Sequence, residues 1–303
     1  MDRLNAMQVF RKVVEIGSFN GAALHLHRSP ASVSKYLNYL ENHLGAPLLT
    51  RTTRRMSLTD VGRNYYERCA HILDDIEQTE AFAGRSRQAA RGLLRIRAPV
   101  SLGAAELGKT VADFLTRYPE VTVELTLNDR FTDPVEEGYD VALRIATGMA
   151  DSTLVERSIA AMPRVLCAAP DYLRRCGRPA VPADLKHHNC IVYTRGETPD
   201  QWRFSGAEGA RTVRVKGNYR CNISIVLLEA LIEGAGVGLL PAFIVAEDLA
   251  AGRLAPLLPQ WTPQPRTLFA VFAQRRHPPP KITAFVDFLA GRFPGSAGWL
   301  PPV

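Results

Sequence analysis

The sequence predicts a mixed α/β protein in three parts: a small basic head of short helices with a two-stranded hairpin, one long amphipathic helix, and a larger body of alternating strands and helices. Three observations predict it. Apolar residues recur at helical spacing from Leu4 to Leu44, broken by Gly17 and Gly45. From Thr59 a single unbroken helical pattern follows. From Leu93 onward, short apolar runs alternate with helical ones. A chain of 303 residues is too long for one typical core, so about two or three domains are expected. A composition 46% hydrophobic and 22% charged excludes disorder on a large scale.

In the head, Leu4, Met7, Phe10, Val13 and Val14 form one apolar stripe of a first helix. Gly17 ends it in a left-handed conformation, and Ser18 caps a second helix over about residues 19–26. Ser29 caps a third, with Pro30 in its first turn, where a missing N–H costs nothing. The third helix buries Val33, Leu37, Leu40 and Leu44 and turns Ser32, Ser34, Lys35 and Asn38 to other faces. Short polar and cationic groups on such a face suit phosphates and base edges, and the three helices make a helix-turn-helix pattern. The segment APLLTRTTRRMSLT follows as two short strands around an arginine-rich tip, a wing able to straddle a phosphate backbone.

Charge agrees with this partner. Residues 1–58 hold eight lysines and arginines against Asp2, Glu15 and Glu41, a net of +5 out of +7 for the whole chain. A basic head on a near-neutral body points to a polyanion. The competing reading is a three-helix bundle with a solvated basic hairpin. The candidate DNA contacts are Ser29, Pro30, Ala31 and Ser32 at the helix start, Ser34, Lys35 and Asn38 beyond it, and Arg51, Thr53, Arg54 and Arg55 in the wing.

The long helix, capped by Thr59 and Asp60 and running to about residue 89, places Tyr65, Cys69, Ile72, Ile76, Thr79 and Ala83 at alternating steps of four and three. That is a heptad seam, which needs a partner, either a second helix or the chain's own body. In the body, LLRIRA, VTVELTL and YDVALRI are strands of a largely parallel sheet, with helices over 103–117 and DPVEEG between them. RVLCAA, CIVY, TVRVKG and VGLL form a second set with helices at DYLRRC, 224–233 and 242–251. TLFAVFA and KITAFVDFLAGRF close the chain as strand and helix.

Several classes are excluded. Glycine-rich phosphate loops, nucleophile elbows and HExxH runs are absent from the sequence, which argues against an enzyme. Five scattered cysteines show neither metal-ligand nor redox spacing, so no metal and no cofactor are expected. Cys221 lacks a resolving partner, and His187-His188 reads as a solvated loop. The charged N-terminus lacks a signal peptide's apolar run, and glutamates and glycines interrupt the most apolar stretch, so a cytoplasmic protein with no membrane span is expected.

The run SFNGAALHLHRSPASVSKYLNYLENHLGAPLLTRTTRRMSLTDVG resembles the DNA-binding domain of LysR-type transcriptional regulators. The runs LLRIRAPVSLG, DRFTDPVEEGYDVALRI, WRFSG and GAGVGLLP resemble the effector domain of the same family. The resemblance implies a winged helix-turn-helix over 1–58, a linker and dimerisation helix over 59–90, and a two-lobed effector domain, like a periplasmic solute-binding protein, over 91–303. Lobe one would hold 91–163 and 267–296, and lobe two 164–266, with crossings near Pro163-Arg164 and Pro265-Arg266. It further implies antiparallel linker helices in a homodimer or homotetramer on double-stranded operator DNA, a small-molecule effector between the lobes, and a groove contact at Ser34.

Two helix starts, at Ser101 and at Asn222–Ser224, would then face one cleft, where unpaired N–H groups suit a carboxylate or phosphate. Leu102 and Ile223 would supply apolar walls, Arg144 a bidentate contact, and Thr194 with Arg195 a further polar one. The expected effector is a small anion. The plainer alternative makes Ser101 and Asn222 helix caps and Arg144 a surface ion pair.

Overall fold

Local chemistry at the chain start is satisfied residue by residue. Helix α1 (Arg3–Ile16) begins at Asp2, whose carboxylate accepts from the Leu4 and Asn5 amides, and ends at Gly17 with φ 70°. Helix α2 (Phe19–His25) is capped by Ser18. Helix α3 (Pro30–Leu44) is capped by Ser29, whose Oγ accepts from Ser32 N, and stops at Gly45 with φ 66°. Strands β1 (Leu49–Arg51) and β2 (Met56–Leu58) pair antiparallel as a wing. Helix α4 (Asp60–Ala83) follows, with Thr59 Oγ1 accepting from Gly62 N at 2.9 Å. This computed structural model describes residues 1–51, 56–83, 90–130, 138–148, 154–196, 198–273 and 278–293. The chain divides into two compact units, Met1–Ala89 and Ala90–Val303.

The first unit has its own core, with Phe10, Val33, Leu37, Leu40 and Leu48 fully buried. Leu44, expected in the buried stripe of α3, is 37% exposed, because it sits in the last turn beyond the core. Helix α4 departs from its expected seam. Cys69 is 1% exposed and its thiol donates to Met7 O in α1, while Tyr65 packs on the Phe10 ring at 5.8 Å. Cys69 is therefore a core residue of this unit and not a dimer contact, and Leu73 continues the buried face. Ile72 points away and is 49% exposed, and Ile76 is half-buried. The side chains of Thr79 and Ala83 lie outside the described residues.

The second unit opens with β3 (Gly92–Ala98), α5 (Val100–Leu102), a π-helical turn (Gly103–Leu107) and α6 (Gly108–Arg117). Then come β4 (Val121–Leu127), β5 (Val141–Ala146), β6 (Val155–Met162), β7 (Arg164–Ala168), α7 (Pro170–Cys176) and a 3-10 turn (Pro182–His187). Next are β8 (Cys190–Tyr193), β9 (Gln201–Gly206), β10 (Gly209–Arg214), β11 (Arg220–Cys221), α8 (Ser224–Ile232), β12 (Val237–Pro241) and α9 (Ala242–Ala250). The unit ends with β13 (Ala255–Pro256), β14 (Thr262–Pro263), β15 (Arg266–Phe272) and α10 (Pro280–Arg292).

Two five-stranded sheets result, in the orders β4-β3-β5-β15-β6 and β11-β8-β12-β7-β13. Each is half parallel and half antiparallel rather than largely parallel, because strands β15 and β7 arrive through a crossing instead of a helical return. A third, antiparallel sheet, β10-β9-β14, was not expected, and the strand anticipated at TVRVKG starts earlier, at Gly209. The helix anticipated at DPVEEG falls mainly outside the described residues. The chain passes between the large sheets at Pro163, between β6 and β7, and again between β14 and β15. Arg164 ties the two crossings together, donating from Nε and Nη2 to Gln264 O at 3.1 and 2.9 Å.

Candidate DNA-binding and effector sites

In the first unit the buried stripe of α3 orients the rest of the helix. With Val33, Leu37 and Leu40 turned inward, Ala31, Lys35 and Asn38 are exposed, and Ser32 and Ser34 are half-buried. Ser29 and Pro30 are exposed at the helix start, with the cap bond in place at 3.2 Å. Glu41 is committed to structure: its Oε1 accepts from the Leu48 and Leu49 amides and holds the wing against α3. Arg28 is likewise engaged, donating to Asn5 Oδ1 and lying 4.8 Å over the Tyr36 ring. Thr53, Arg54 and Arg55, and the side chain of Arg51, lie outside the described residues.

In the second unit a cleft of about 890 Å³ opens between the two large sheets, within the usual range of roughly 300–1,000 Å³ for small-molecule sites. Of the residues expected to hold an effector, Ser101, Leu102, Arg144, Arg195 and Ser224 line it, and Thr194, Asn222 and Ile223 do not. Thr194 is drawn into the sheet edge, its amide bonded to Cys221 O.

The two helix starts do not stand open side by side. Ser101 Oγ accepts from Ser224 N at 3.1 Å and from Ile225 N at 3.4 Å. A serine on α5 thus caps α8, whose own N-cap residue, Ile223, offers no side-chain acceptor. Asn222 makes no cap bond, contrary to expectation, since α8 begins one residue later. Arg144 is also committed. Its guanidinium donates to both carboxylate oxygens of Glu156, whose side chain is 2% exposed, and to Gly148 O, and it lies 5.2 Å over the Phe269 ring. A buried carboxylate already holds this arginine.

Other arginines give the cleft its charge. Arg97, Arg130, Arg164, Arg195, Arg203 and Arg266 line it, facing one acid among the described residues, Asp129. Burial, and then the charge of Arg266, lower the Arg164 guanidinium to about 9, so it stays protonated near neutrality. Burial also lowers Arg266 from its ordinary value. Desolvation raises Asp129, opposed by the Val100 amide on Oδ1 and by the charge of Arg195, and its Oδ2 is buried without a hydrogen-bond partner. Burial foremost, then the Asp129 charge, push the Tyr193 hydroxyl up to about 12. Arg195 was an expected contact, and the sequence held a signal for two more, since each crossing proline is followed directly by an arginine, at Pro163-Arg164 and Pro265-Arg266. Arg97 alternates with Arg95 in an otherwise apolar strand.

Among the described residues no cluster of three or more histidines, cysteines or acids is placed to hold a metal. No helix among them is long and apolar enough to cross a membrane.

Residues 4–63 match the family described as bacterial regulatory helix-turn-helix proteins of the lysR family. Residues 87–294 match the LysR substrate binding domain. Among similar curated proteins are the HTH-type transcriptional activator AaeR of Escherichia coli, 33% identical over 97% of this chain and 94% of its own. A probable HTH-type transcriptional regulator of Klebsiella pneumoniae, LtrA, is 33% identical over 100% of this chain and 99% of its own. Among solved structures, CrgA, a LysR-type regulator of Neisseria meningitidis, superposes with a TM-score of 0.60 at 29% identity, covering 95% of this chain and 98% of its own. The full-length virulence activator AphB of Vibrio cholerae gives 0.58 at 27%, covering 96% and 99%. With a helix-turn-helix head and a two-lobed effector-binding body both matched, the chain belongs to the LysR family of transcriptional regulators and is not an enzyme.

Proposed function

We propose that this regulator is switched by a small anion bound between the two lobes of its second unit. The observation that carries the reading is the cleft itself, lined among the described residues by several arginines and one aspartate. A concave, partly apolar space with few convergent charges is the usual form of a small-molecule site, and the sign of these charges selects the ligand. The exposed face of α3 and the arginine wing would read double-stranded operator DNA, with Ser29 to Ser32, Ser34, Lys35 and Asn38 as the groove-facing set. The outward face of α4, carrying Ile72 and Ile76, would serve a homodimer or homotetramer in the cytoplasm, since an apolar residue 49% exposed on a long helix needs covering.

The test compares carboxylic acids with their matched amides at constant ionic strength, by thermal unfolding of the full chain and by gel shift on DNA upstream of its gene. Acids should raise the melting temperature and alter the shift, and amides should do neither. Equal stabilisation by acid and amide would remove charge as the basis of recognition.

A further inference from the structure

Buried and half-buried cations in the second unit fall into two groups. Some have a carboxylate: Lys281, 4% exposed, sits 3.0 Å from Asp140, and Arg144 is held by Glu156 at 2.8 Å. Arg164 and Arg266 do not. Arg164 gives two hydrogen bonds to one neutral carbonyl, Gln264 O. Arg266 lies 5.9 Å over the Tyr193 ring, and its Nε is buried with no hydrogen-bond partner. Arg195, on the same cleft, lies close enough to Asp129 for its charge to lower that carboxyl. The uncompensated charge therefore gathers at the two crossings, where the charge of Arg266 bears on Arg164 and both line the cavity.

We propose that Arg164 and Arg266 form a dianion subsite at the crossing of the lobes, so that the effector carries two negative charges close together, as a phosphomonoester or a short dicarboxylate. This rests on the reading of the cleft as an anion site and narrows it. Leaving a buried charge unpaired is costly, and a single carboxylate offsets only one of two adjacent guanidiniums. A planar guanidinium presents a fork of donors that matches phosphate or carboxylate oxygens in pairs, and two such forks suit a group with several anionic oxygens. The position also gives the ligand leverage. Arg164 belongs to the strand leaving one lobe and bonds the segment returning from the other, so an anion held there contacts both connections at once.

The experiment is titration calorimetry on the full chain at matched ionic strength. The probes are inorganic phosphate, glycerol phosphate and succinate, set against acetate, butyrate and chloride. At least one dianion should bind about tenfold or more tightly than the monoanions. Arg266→Gln should weaken that dianion by about 10- to 100-fold, the usual effect of removing a charged hydrogen-bonding partner, and Arg266→Lys should restore part of it. Arg211→Gln, outside the cleft, should bind like the wild type, and circular dichroism confirms that the Arg266 variants fold. If monocarboxylates match the dianions and Arg266→Gln weakens neither, the dianion subsite is wrong while the anion cleft stands. If no charged probe binds and only amides stabilise the chain, both readings fall.

Discussion

Replacing Ser101 with alanine tests how the two lobes are joined. The hydroxyl accepts at the start of α8, receiving the amides of Ser224 and Ile225 from across the cleft. Ser101 is 8% exposed and Ser224 5%, so water reaches neither group freely. A buried donor left without an acceptor costs about 1–3 kcal/mol, and loss of a helix cap alone about 1 kcal/mol. About 2 kcal/mol is the expected loss for the second unit, which lowers the melting temperature of a unit this size by roughly 4–8 °C. Because a chain of two units need not unfold in one step, a local readout is needed as well. Amide hydrogen exchange at Ser224 and Ile225 should accelerate in Ser101→Ala while the far end of α8 stays protected. Unchanged exchange at both amides, with a melting temperature within about 1 °C of wild type, would refute a cross-lobe cap.

Arg144→Ala strands the buried Glu156 carboxylate and should cost about 3–5 kcal/mol, whereas Arg144→Met with Glu156→Leu should recover most of it in denaturant melts. Ile72→Asp should weaken self-association in sedimentation without unfolding the head, while Leu73→Ala, in the head's core, should cost about 2–5 kcal/mol and leave the association surface intact. Burial pushes the Cys69, Cys167 and Cys190 thiols up to about 12, so alkylation of the native protein near pH 8 should label exposed Cys176 first and reach those three only on unfolding, as peptide mapping would show. Lys35→Ala and Arg54→Ala should each weaken operator binding and reduce its salt slope by about one, and Ser34→Ala should alter sequence preference more than affinity.

What could be read from the sequence was local. Gly17, Ser18, Ser29 and Gly45 act through bonds within a few residues of themselves, so their types and spacing state the helix boundaries directly. The long helix shows the limit. Periodicity aligned Tyr65, Cys69 and Ile72 on one seam, but it does not say what faces them. The structure puts Cys69 and Leu73 against α1 and leaves Ile72 outside, because α1 takes the inward face of α4 before any partner helix does. In the cleft, both helix starts were legible, yet their relation was not. Ser101 and Ser224 are far apart in sequence, and only the folded lobes bring one to cap the other. Arg144 was legible as a cation at a strand end, but its partner Glu156 lies on a different strand. Arg164 and Arg266 drew notice only for the prolines before them, since nothing local distinguishes a cleft arginine from a surface one.

The lobes as they stand set a bound on what an effector must do. Ser101 already joins α5 to α8, so a ligand does not create closure from nothing; it must change the energy of an arrangement that the chain makes by itself. A ligand of equal affinity for both arrangements shifts neither. Moving an equilibrium from about 1:99 to 99:1 takes roughly 5.5 kcal/mol of differential binding. A single monodentate contact to a charged group contributes about 1.5–3 kcal/mol, too little for a full switch, whereas two arginine forks on one anion reach about 3–6 kcal/mol. The Ser101 bond, worth about 2 kcal/mol when lost, is of the same order as either contact alone. Ser101→Ala should therefore move the midpoint of an anion-dependent gel shift by about tenfold or more, with the operator affinity of the fully liganded protein little changed. A variant whose midpoint stays put, although α8 has lost its cap, would mean that closure of the lobes is not the step the ligand controls.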